Sequence, residues 1–72
     1  MKKRSVTIAG HRSSITLEDA FWQELRNLAK GEGISLNALI TKIDETRNPA
    51  DNLSSALRLT ILKNLQSQIS AE

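Results

Sequence analysis

In Arg12-Ser13-Ser14-Ile15-Thr16-Leu17, hydrogen-bonding and apolar side chains largely alternate. A period of two belongs to a half-buried strand, with Ile15 and Leu17 on one face and Arg12, Ser14 and Thr16 on the other. A guanidinium beside two hydroxyls offers donors and acceptors for recognition, with no base or acid to make a nucleophile of either hydroxyl. No downstream segment reads as a strand that could pair with it. An isolated strand with open backbone groups is unstable in water. The expected partner is the same strand of a second copy, and a two-stranded ribbon has the width to enter the DNA major groove.

Other residues that could do chemistry are sparse. His11 is the sole histidine and there is no cysteine, so no ligand cluster for a metal can be assembled without scattered carboxylates. His11 is left to contact a phosphate, cap a turn or sit in solvent. Asp44-Glu45 is an adjacent pair, and neighbours on a helix do not face each other. Gly31-Glu32-Gly33 is too short for a phosphate-binding loop and follows a helix rather than a strand. The sequence contains no catalytic constellation and implies no cofactor.

The elements that position the strand must fit in 72 residues. A domain this small buries only about 60 % of its unfolded surface. Disulfides and zinc being excluded, oligomerisation is the remaining support. Residues 1–17 carry Lys2, Lys3, Arg4 and Arg12 and no acid, about +4, while the remainder balances six bases against eight acids, about −2. A polyanion is the natural partner for such an end. Met1-Lys-Lys-Arg leads into Ser5-Val6-Thr7 rather than an apolar core, and no run approaches the roughly 18 apolar residues of a membrane span. The expected location is the cytoplasm, on the nucleoid when bound to DNA, with no membrane partner.

Residues 1–4 read as a basic arm and residues 5–17 as a strand region. Val6 and Ile8 alternate in one phase, Ile15 and Leu17 in the other, with Gly10 between them. A hairpin turning at Gly10-His11 sets Val6 opposite Ile15 and Ile8 opposite Ser13. An irregular or bulged extension is the favoured alternative, because a wider sheet fits the groove less well. A first helix is expected over residues 18–30, with Phe21, Leu25, Leu28 and Ala29 as its stripe and Glu18 and Asp19 at its positive end. Gly31 and Gly33 end it, one of them left-handed. Ser35 caps a second helix over residues 35–47, whose stripe is Leu36, Leu39, Ile40 and Ile43. After Asn48-Pro49-Ala50-Asp51, a third helix over residues 52–67 carries Leu53, Ala56, Leu57, Leu62 and Leu65, with Leu59, Thr60 and Ile61 widening the apolar surface. Trp22, off the first stripe, is a candidate dock for it.

The strand Ser14-Ile15-Thr16-Leu17, the positions Phe21, Leu25 and Leu28-Ala29, the turn Gly33-Ile34-Ser35 and Leu39-Ile40 resemble the ribbon-helix-helix repressors of the Arc and MetJ type, over about residues 11–47. The run Gly-His-Arg-Ser-Ser-Ile, the Phe-Trp pair and the later Asn-Leu-Ser-Ser-Ala-Leu-Arg look like a small bacterial subfamily of them. The resemblance implies a mainly α fold with a short N-terminal β-ribbon. Two copies intertwine as a homodimer, and the third helix is an addition.

It implies a sequence-specific regulator of transcription, a repressor being the type, that binds double-stranded DNA and is not an enzyme. Arg12, Ser14 and Thr16 would face the bases, where Arg can pair with guanine O6 and N7 and the hydroxyls can bond either base type. Ser35 and Asn37, at a helix N-terminus, would hold a phosphate. Lys2, Lys3 and Arg4, with His11, would add phosphate contacts. Ile15, Leu17, Phe21, Leu25, Leu28, Leu36, Leu39, Ile40 and Ile43 would form the dimer core. Ser13 stands where the family usually places an apolar residue. The competing reading is a protein-interaction module, or an antitoxin that masks a partner protein, using the apolar third helix.

Overall fold

The computed structural model describes residues 2–70, the side chains of residues 2 and 70 excepted. Strand β1 (Lys2–Ile8) and strand β2 (His11–Leu17) form an antiparallel hairpin, followed by α1 (Asp19–Glu32), α2 (Leu36–Thr46) and α3 (Leu53–Ser70). The mainly α architecture with an N-terminal ribbon and an added third helix is as expected.

Three expectations about the N-terminus are corrected. The strand's partner lies upstream in the same chain, so β2 does not depend on a second copy to pair that edge. Residues 5–8 are regular strand and Ala9 opens the turn, in place of a bulged extension. Lys2, Lys3 and Arg4 belong to β1 instead of a free arm, and Met1 falls outside the described residues. The turn is Ala9-Gly10, one residue earlier than Gly10-His11, so Ile8 pairs with His11, Val6 with Ser13 and Arg4 with Ile15. Ala9 (φ 50°) and Gly10 (φ 81°) are both left-handed, as a type I′ turn requires. Such a turn matches the right-handed twist of the strands it joins.

The shifted register keeps the parity of the strands and therefore their faces. Val6, Ile15 and Leu17 point inward and are buried, with Leu25 and Ala29 of α1, Leu39, Ile40 and Ile43 of α2, and Ala56, Leu57 and Ile61 of α3. Phe21, Trp22, Leu28, Leu36, Leu53 and Leu65 pack around this cluster, half-buried. Ser13, also of inward parity, borders an open groove with His11, Asp44, Arg47 and Leu53. That position faces no packed core, which is why a hydroxyl is tolerated there.

Local signals end the helices. Gly33 (φ 69°) closes α1, its N–H donating to Lys30 O while Ile34 N–H donates to Ala29 O, both at 3.1 Å. Ser35 Oγ accepts from Ala38 N–H at 3.0 Å and starts α2. Asn52 Oδ1 does the same for α3, accepting from Ser55 N–H at 2.8 Å. In the link before α3, Arg47 donates to Asp44 Oδ1 at 2.8 Å and to the Asp51 carbonyl at 2.6 Å.

α3 runs three residues past its expected end at 67, and its buried face differs from the expected one. Ile61 is buried and Leu62 half exposed (2 % and 48 %). Trp22 is covered by Arg4, whose guanidinium carbon lies 4.5 Å from the ring centre.

Candidate nucleic-acid interface

Inward parity for Val6, Ile15 and Leu17 fixes the opposite face of the hairpin. There Lys3, Ser5 and Thr7 of β1 lie across from Thr16, Ser14 and Arg12 of β2. All six side chains are exposed, so no helix covers this face. Neither strand carries an acid. The two cations, Lys3 and Arg12, sit toward opposite ends, with four hydroxyls between and beside them. The arrangement offers donors and acceptors along the ribbon and a positive charge at each end.

The ribbon is held against the helices along one edge. In a two-residue hairpin the pair flanking the turn exchanges hydrogen bonds, and every second pair after it does the same. Ser5 and Thr7 therefore aim their backbone groups away from β2. Asn37 Oδ1 accepts from Thr7 N–H and Thr41 Oγ1 accepts from Ala9 N–H, each at 3.4 Å. The N-terminus of α2, with its positive dipole end, thus flanks the β1 edge. Below the ribbon Arg4 spans to α1, donating to Asp19 Oδ1 at 3.0 Å. At the exit of β2, Glu18 Oε1 accepts from Arg58 Nε of α3 at 2.9 Å. That hydrogen bond, with one to the Glu18 backbone, holds the Glu18 carboxyl below its ordinary pKa.

Of the residues expected to meet DNA, Arg12, Ser14 and Thr16 share the outer face and Lys3 joins them. Ser35 and Asn37 stand together at the start of α2, both exposed, although Ser35 Oγ is engaged as the cap and Asn37 braces β1. His11 lies at the rim of the groove by the turn, on the inward parity. The Lys2 side chain lies outside the described residues. Arg4 departs from its expected role: its even position in β1 turns it beneath the ribbon, onto Trp22 and Asp19. Sequence reasoning missed Ser5 and Thr7. Their signal was the alternation with Val6 and Ile8, which places them on the outer face once β1 is a strand.

Residues 1–65 match the family model of the ribbon-helix-helix domain. The chain belongs to the ribbon-helix-helix family. No curated protein and no solved structure matches it. Ribbon-helix-helix domains are typically DNA-binding, as transcriptional regulators or antitoxins, and they bind as dimers. Among the described residues, no helix of this ribbon-helix-helix chain is long and apolar enough to cross a membrane.

Proposed function

We propose that this ribbon-helix-helix protein is a sequence-specific DNA-binding regulator of transcription, acting in the cytoplasm on the nucleoid. The observation that carries the reading is the exposed, acid-free outer face of a two-stranded ribbon. Arg12, Ser14 and Thr16 discriminate bases in the major groove, a good bidentate arginine pair contributing about 1–3 kcal/mol of preference. Lys2, Lys3, His11 and the α2 terminus at Ser35 and Asn37 contact phosphates and fix orientation. Two copies occupy a two-fold-related site as a homodimer. No catalysis and no cofactor enter this reading.

The test is titration into labelled duplex from the protein's own upstream region and into a scrambled control, at several salt concentrations. Tighter binding to the native duplex, lost in Arg12→Ala, supports the reading. Equal binding to both that vanishes near physiological salt leaves only a basic surface.

A second reading rests on Leu59, Leu62 and Ile69 of α3, which are 45 %, 48 % and 72 % exposed. Large apolar side chains gathered on one helix suit a protein partner, as in an antitoxin. Under this reading Leu62→Glu with Ile69→Glu abolishes the partner complex and leaves DNA binding intact.

A further inference from the structure

The hairpin turn, the end of α2 and the start of α3 leave an open groove of about 390 Å³ between them. That volume lies within the roughly 300–1,000 Å³ usual for small-molecule sites. Ile8 and Leu53, both half-buried, supply its apolar lining. Around them stand His11, Arg12 and Ser13 of β2, with Arg47 opposite beside Asp44. Apolar surface with a few convergent hydrogen-bonding groups is the usual make-up of a ligand site. An apolar side chain at the inward position of Ser13 would fill this space, whereas the serine leaves it open and adds a hydroxyl.

The charges of the lining do not balance. Arg47 and Asp44 pair at 2.8 Å and cancel. Among the described residues Arg12 has no ion-pair partner, so, His11 apart, a single positive charge is left over. A carboxylate monoanion completes that balance, whereas a phosphate dianion exceeds it. Arg47 uses its Nε on Asp44 and its Nη1 on the Asp51 carbonyl, which leaves Nη2 for a charge-assisted bond to a carboxylate. Arg12 also belongs to the outer face of the ribbon, across from Thr7. A guanidinium fork committed to a carboxylate is not available to a base edge.

We propose that this groove is an effector site for a small organic carboxylate, and that its occupancy competes with DNA for Arg12. The carboxylate head engages Arg12 and Arg47, and the apolar body rests on Ile8 and Leu53. The proposal rests on the DNA-binding reading above and adds its regulation: bound carboxylate releases the protein from its site.

The probe is benzoate, titrated into isotope-labelled protein while backbone amide signals are followed by nuclear magnetic resonance. Benzyl alcohol and inorganic phosphate are titrated in parallel. Saturable shifts are expected at Ile8, His11, Ser13, Asp44 and Leu53, in roughly the millimolar range for a ligand of so few atoms. Benzyl alcohol lacks the charge and phosphate lacks the body, so each should bind about tenfold more weakly. Benzoate should also lower affinity for the protein's upstream duplex by more than chloride does at equal ionic strength. Ser13→Leu, which fills the groove, should lose both the shifts and the response of DNA binding to benzoate. Should that variant fail to fold, the wild-type titrations decide alone.

Shifts shared by benzoate and phosphate and spread over the whole basic ribbon overturn the proposal. So do groove signals that follow protein concentration rather than benzoate, which would mean that a second copy covers the groove. Benzoate held in the groove with DNA affinity unchanged also overturns it and spares the DNA-binding reading. A protein that does not distinguish its upstream duplex from a scrambled one overturns that reading instead, while the shifts on free protein still decide whether the carboxylate binds.

Discussion

The guanidinium of Arg4 lies 4.5 Å over the ring of Trp22 and donates to Asp19 Oδ1 at 3.0 Å. One side chain thus joins the inner face of β1 to the first turns of α1. Its Nε is buried and has no hydrogen-bond partner among the described residues, while the indole and the Asp19 carboxylate together hold the guanidinium in place. Cation–π contacts of this kind contribute about 0.5–2 kcal/mol, depending on desolvation. Arg4→Ala is expected to lower stability by about 1 kcal/mol and to shift the emission of Trp22, the sole tryptophan. Its DNA affinity should change far less than that of Lys3→Ala. Equal losses of affinity would place Arg4 at the phosphates instead.

Ala9 holds φ 50° in a turn whose other central residue is Gly10. A side chain in the left-handed region costs about 1–2 kcal/mol, and asparagine bears it better than alanine. Ala9→Asn should therefore stabilise the chain by about 1 kcal/mol, a rise of roughly 4–8 °C in Tm for a domain of this size. Thermal melts followed by far-ultraviolet circular dichroism measure it. A lower Tm would show that the hairpin does not turn at Ala9-Gly10.

The turn also marks what was legible in the sequence. The caps at Gly33 and Ser35, with the stripes of α1 and α2, are local patterns, and the structure follows them closely. Alanine gives no hint of a positive φ, so Gly10 alone marks the hairpin in the sequence and points to a turn one residue late. The choice between hairpin and extension depends on Val6 being buried in the core shared with the helices, a tertiary relationship that no short window contains. α3 is apolar on nearly every side, so periodicity could not say that Ile61 rather than Leu62 faces inward. The charge of Arg4 suggests an arm, while its parity in β1 decides where it points.

That orientation of α3 is testable by contrast. Leu57 is fully buried and Leu62 is 48 % exposed, on one helix. Leu57→Ala is expected to cost about 2–5 kcal/mol, as is Ile40→Ala in α2. Leu62→Ala should cost about 0.5 kcal/mol or less when measured in dilute protein. Urea melts decide the matter; similar losses for Leu57 and Leu62 would mean that α3 sits differently on the core.

The Glu18–Arg58 pair gives stability a defined dependence on pH. The Arg58 hydrogen bond holds the folded carboxyl below its unfolded pKa, so the folded state favours the ionised form. The contribution is complete above the ordinary carboxylate range and is lost as pH falls through the lowered folded value. In urea melts across pH, Glu18→Gln should be less stable than wild type at neutral pH and converge with it in acid. A difference that grows toward acid would have the wrong sign for this linkage. The pair is partly solvent-exposed, so the effect is small.

Salt separates positioning charges from reading groups on the outer face. Neutralising one phosphate contact lowers the slope of log affinity against log salt by about 1 and weakens all sequences alike. Lys3→Ala should do this, with native and scrambled duplexes weakened equally. Arg12→Ala should chiefly erase the difference between the two duplexes, because a guanidinium paired with a guanine edge carries sequence preference. The two cations stand toward opposite ends of the ribbon, so their effects should add in the double variant. If Arg12→Ala instead reproduces the uniform loss of Lys3→Ala, Arg12 grips the backbone. Base reading then falls to the four hydroxyls of Ser5, Thr7, Ser14 and Thr16.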